Sequence, residues 1–75
     1  MIKGMFEFTV VSASEREKLT CEIYYKNELI AEISQETEQL ILEIYPSQKN
    51  QWWEIPLCAF QQALEDAKKF LSDGR

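Results

Sequence analysis

The sequence predicts an α+β domain, an antiparallel four- to five-stranded β-meander with one C-terminal α-helix packed on one face. Three observations predict it. Several short runs between Met5 and Tyr45 alternate apolar and polar side chains with the period of two that half-buried strands require. Short polar stretches separate these runs and leave consecutive strands no choice but to lie beside one another. Only Pro56 to Leu71 carries the three-and-four spacing of a helix face.

Met5 to Ser12 is the first strand, with Phe6, Phe8 and Val10 on one side and Glu7, Thr9 and Val11 on the other. Ala13 to Lys18 is polar, lacks a strand period and reads as a loop. Leu19 to Lys26 is the second strand, turning Leu19, Cys21, Ile23 and Tyr25 inward. Leu29 to Ser34 is the third, with Leu29, Ala31 and Ile33 inward. A two-residue loop at Asn27-Glu28 would set Ile23 opposite Glu32 and mix the faces. A three-residue loop, Lys26-Asn27-Glu28, pairs Tyr25 with Leu29 and Ile23 with Ala31, and the apolar register selects it, with Asn27 or Glu28 left-handed. Gln35 to Gln39 is a wet turn, and Leu40 to Tyr45 is a fourth strand stopped by Pro46. Trp52 to Leu57 is a short fifth strand, with Trp53, Ile55 and Leu57 inward.

The helix presents Phe60, Ala63, Leu64, Ala67, Phe70 and Leu71 as one dry stripe. Pro56 and Cys58 bracket its start, with Cys58 standing where Ser or Asp would normally cap. Lys68 and Lys69 lie toward the negative end of its dipole, and Gly74 can stop it.

At 75 residues the chain forms one domain, residues 1–75, with a single core; such a chain buries about 60% of its unfolded surface. Met1 to Val11 has no continuous apolar segment of the secretory kind, and no apolar run is long enough to span a bilayer, so the expected location is the cytoplasm and no membrane is expected as a partner. Cys21 and Cys58 form no CxxC pair. They read as reduced thiols, a functional role being open only to Cys58 through its place at the helix start.

The net charge of −5 argues against nucleic acid and toward a basic partner. The absence of His removes Ser-His and Cys-His nucleophile pairs and His-ligated zinc, and two glycines, Gly4 and Gly74, cannot build a phosphate-cradling loop. Glu15 with Glu17, or Glu36 with Glu38, could be drawn as acid and base, but nothing in those polar segments would separate their pKa values. No enzymatic activity, cofactor or metal site is expected.

With one helix available, the second sheet face is left open. It collects Glu7, Glu22, Glu32, Glu43 and Glu54, one carboxylate from each strand, together with Tyr24, Tyr45 and Trp52, and Lys26 is its only base. An exposed antiparallel face needs polar residues in any case. A face built for solubility alone would mix signs, however, and like charges set across neighbouring strands destabilise them. Tyr and Trp are also enriched where proteins meet. The candidate partner-binding residues are therefore Glu7, Glu22, Tyr24, Glu32, Glu43, Tyr45, Trp52 and Glu54.

Through Leu-Ile-Leu-Glu-Ile-Tyr-Pro at 40–46, Trp53-Glu54-Ile55-Pro56-Leu57, and Phe60 followed by Ala63-Leu64-Glu65-Asp66-Ala67-Lys68, the chain resembles small bacterial immunity proteins of contact-dependent growth inhibition loci. The resemblance covers roughly residues 19 to 71 and rests on strand order and the amphipathic helix. It implies a cytoplasmic protein that binds and neutralises a delivered toxin domain, commonly a nuclease, whose basic surface the carboxylates would meet. The competing expectation is a small regulatory or protein-interaction module that forms a homodimer through this face or an edge strand and has no toxin partner.

Overall fold

A computed structural model describes residues 5–73, with side chains to residue 72; Gly74, expected to stop the helix, lies outside the described residues. Four strands, β1 (Phe6–Val11), β2 (Thr20–Tyr25), β3 (Glu28–Ser34) and β4 (Ile41–Ile44), form one antiparallel sheet in chain order, and α1 (Leu57–Asp73) follows. The α+β meander with a C-terminal helix is thus the observed architecture. No helix among the described residues is long and apolar enough to cross a membrane.

Register places Phe8 opposite Ile23, Ile23 opposite Ala31, and Ile33 opposite both Cys21 and Leu42, so these side chains share the helix side of the sheet. The β2–β3 hairpin departs from the three-residue loop. Its loop is Lys26-Asn27, with φ of 51° and 67°, the two left-handed residues of a type I′ turn, and Tyr25 faces Glu28. The extra residue instead sits inside β3. The pairing shifts between Ile23 and Tyr24, skipping Ile30, and this bulge restores Ile23 to Ala31. Ile30, expected on the open face, is consequently driven into the core, while Leu29 is only half buried.

The helix seats itself through Ala59, Ala63, Ala67 and Leu71, a buried row spaced by four residues. Three alanines in that row let the helix backbone come close to the sheet, where it lies over β1 and β2. Ala59 was not on the expected stripe, and of that stripe's large members only Leu71 joins the row, while Phe60, Leu64 and Phe70 flank it. Phe60 meets Phe6 with ring centroids 6.3 Å apart, and Phe70, 46% exposed, leans on Phe8 at 5.2 Å. Pro56 accepts the Phe60 N–H at 3.0 Å, so Pro56 occupies the capping position and Cys58 lies inside the first turn, exposed and free. Lys68 and Lys69 precede the last turn, which holds no base.

Two consequences follow from where the helix lies. The segment 52–56 forms no strand: the sheet ends at β4, and this stretch carries the chain back toward β1 and β2. Trp53 and Ile55 still turn toward the core, Trp53 reaching Tyr25 edge-on at 6.3 Å, but Leu57, expected inward, opens the helix 70% exposed. The other consequence falls on β4. Leu42 and Ile44 stand on the helix side of the sheet as expected, yet remain 40% and 57% exposed because the helix does not reach them.

Candidate interaction face

On the side away from the helix, register brings Glu22 opposite Glu32 and Glu32 opposite Glu43, so the three carboxylates form one row across β2, β3 and β4. Cross-strand neighbours stand about 4.5–5.5 Å apart at Cβ. Glu7, opposite Tyr24, lies one step along the same face and is exposed. Five of the sequence-predicted residues, Glu7, Glu22, Tyr24, Glu32 and Glu43, are therefore brought together on one surface, with Tyr45 continuing β4 beside Glu32.

A row of like charges on adjacent strands needs a counter-charge, and the β1–β2 connection supplies it. The Arg16 guanidinium donates to Glu32 Oε2 at 2.6 Å and to Glu43 Oε1 at 3.1 Å. Arg16 is the residue that sequence reasoning missed. Lys26, expected to be the only base on the face, sits instead in the hairpin turn over the Tyr25 ring. The signal for Arg16 was the carboxylate row itself, once a register is assumed.

The loop that carries Arg16 is tied down at several points. Arg16 N–H donates to Ala13 C=O at 3.1 Å, closing a turn. Glu36 accepts the N–H groups of Lys18 at 2.9 Å and Glu17 at 3.1 Å, and these two bonds hold its carboxyl below the usual range. Gln35 Nε2 donates to Leu19 C=O at 2.9 Å. Thr20 and Ser34, which register places on this side of the sheet, are buried, so the face is closed at the loop end and open at the end toward Tyr24. The Thr20 hydroxyl has no partner there among the described residues.

The tyrosines are held by the same carboxylates. The Tyr24 hydroxyl donates to Glu22 Oε1 at 2.9 Å, and that bond, with some burial, pushes its pKa upward. Burial, then the neighbouring Glu32 carboxylate, pushes the Tyr45 phenol up to about 12. On the Arg16 guanidinium burial acts downward, but Glu32 and Glu43 outweigh it and the net shift is upward.

Trp52 and Glu54 are not on this face. They belong to the irregular segment before α1, where the Trp52 indole donates to Glu54 at 3.1 Å, and they line a shallow cleft of about 590 Å³ beside the hairpin turn with Tyr25, Lys26, Glu28 and Trp53. Glu28 accepts the Gln48 N–H, and the Trp53 indole donates to Tyr45 C=O at 2.6 Å, so this segment is pinned across the sheet end. No group of three or more His, Cys, Asp or Glu side chains that could hold a metal ion occurs among the described residues.

No family model matches the chain, and no curated protein or solved structure matches it either.

Proposed function

We propose that the protein is a cytoplasmic immunity protein that binds a basic toxin domain, a nuclease in the most natural case, through the face built on Glu22, Glu32 and Glu43. The observation that carries this reading is the alignment of the three carboxylates in one row on paired strands, with Tyr24 and Tyr45 at its borders. A sheet holds such a row at a fixed spacing, so its negative charge meets a basic cleft with little ordering cost. Arg16 offsets part of that charge. With Glu7 nearby the face stays acidic, and the hydroxyl groups of Tyr24 and Tyr45 offer further contacts. Attraction of this kind speeds association and weakens as salt is added.

The test is protection in cells. Co-expression with a basic toxin domain encoded beside the gene should restore growth, whereas a combined Glu22→Lys and Glu43→Lys variant that keeps its far-ultraviolet dichroism should fail to protect. Full protection by that variant would remove the acidic row from the function.

A further inference from the structure

The surface that the acidic row leaves unexplained is β4. All four of its residues are exposed, and with Leu40, one residue before it, it carries Leu40, Ile41, Leu42 and Ile44 at 40%, 41%, 40% and 57% exposure. It is also the last strand of the sheet, so one of its edges has no neighbour among the described residues. Natural edge strands are shielded by charge, proline, a bulge or a covering element. On β4 the only charge is Glu43, which Arg16 holds on the open face; the bulge is in β3; Pro46 lies beyond the strand; and α1 lies over β1 and β2.

Backbone direction decides what can pair there. Tyr45 N–H donates to Ile30 C=O at 2.8 Å, so by the alternation of an antiparallel ladder Glu43 and Ile41 also point their polar groups at β3, and Leu42 and Ile44 point theirs at the free edge. None of these outward groups has a partner among the described residues. A second copy related by a two-fold axis through Leu42 satisfies them. Leu42 then pairs with Leu42 of the other copy, and Ile44 pairs with Leu40, each pair closing reciprocal N–H···O=C bonds. On the helix side this makes an unbroken apolar ladder, and on the open side Ile41 meets Glu43. Shifting the pairing by one step either way sets Glu43 against Glu43 or shortens the overlap.

We propose that β4 is a self-complementary edge through which two copies of this chain pair antiparallel about Leu42, joining their sheets into one. The proposal stands apart from the toxin reading, since loss of toxin protection leaves it untouched and a monomeric chain leaves that reading untouched. The match is isologous, which closes at a dimer; pairing of β4 with β1 of another copy would propagate into filaments. A strip built on four residues buries less than the roughly 1,200–2,000 Å² of a standard interface, so the dimer should be weaker than about micromolar.

Sedimentation velocity over a concentration series, up to the millimolar range, tests it. The wild-type chain should shift from monomer to dimer and no further. Leu42→Lys should abolish the shift by placing two like charges at the axis, while Ile41→Lys should retain or strengthen it by facing Glu43 of the other copy. Amide exchange needs no variant: the N–H groups of Leu42 and Ile44 should gain protection with concentration. A chain that stays monomeric, that grows into larger species, or whose Leu42 and Ile44 amides exchange equally fast at all concentrations would overturn the proposal. Loss of the dimer in both lysine variants would overturn this register.

Discussion

β2 and β4 are both antiparallel strands with alternating side chains, yet one is the centre of the core and the other lies wholly outside it. In β2, Thr20, Cys21, Ile23 and Tyr25 are buried and even Glu22 and Tyr24 are half covered, whereas in β4 each residue is exposed. Leu42 and Ile44 are no less apolar than Cys21 and Ile23 and stand on the same side of the sheet. Distance from the helix separates them. A single helix narrowed by an alanine row lies over β1 and β2, and burial extends to Ile30, Ala31 and Ile33 of the adjacent β3. It stops short of β4, so what exposes β4 is its distance from that cylinder rather than its hydrophobicity.

The contrast can be broken by experiment. Ile23→Ala should give the largest effect, about 2–5 kcal/mol of lost stability in chemical denaturation, because Ile23 is 0% exposed and the cavity cannot be shared with solvent. Next is a dependence on pH carried by β2. Burial, then the nearby Glu22, raises the Cys21 thiol from 9.0 to about 11, so between those values the unfolded chain gives up a proton that the folded chain keeps. Stability from this source is intact below pH 9 and lost as pH rises toward 11, by roughly 2–3 kcal/mol, and Cys21→Ala should flatten that part of the curve. Tyr45, raised to about 12, extends the same trend to higher pH. The smallest effect should come from β4: Leu42→Thr, measured at dilute concentration, should change stability by no more than about 0.5 kcal/mol. A loss as large as that at Ile23 would mean that β4 is covered after all.

Much of the fold was legible in the residues. Strand alternation from Phe6 to Ile44 and the helical spacing from Phe60 to Leu71 are local signals, and both elements form, although Ile30 turns inward and Ala59 joins the buried helix row. The register was half legible. Matching Ile23 to Ala31 correctly demanded one extra residue in the hairpin, but nothing in the letters says whether that residue goes to the turn or to a bulge. A type I′ turn at Lys26-Asn27 follows the twist of the strands, and the extra residue went to the bulge at Ile30. The carboxylate row was legible as one residue per strand, and Trp52 and Glu54 were misplaced because a fifth strand was extrapolated from their alternation. Arg16 was legible only as the counter-charge that a carboxylate row calls for; its place was not, because a loop lacks periodicity and long-range ties such as that between Glu36 and the Glu17-Lys18 backbone fix where its side chain arrives.

The two adjacent indoles give the chain a pair of built-in optical reporters. Trp53, its N–H held by the Tyr45 carbonyl and its ring against Tyr25, is partly buried and should emit from a partly dry environment, while Trp52, 60% exposed, should already emit from water. Unfolding should therefore shift the emission of one indole to the red and leave the other nearly unchanged. A soluble quencher will divide the light into an accessible share from Trp52 and a guarded share from Trp53.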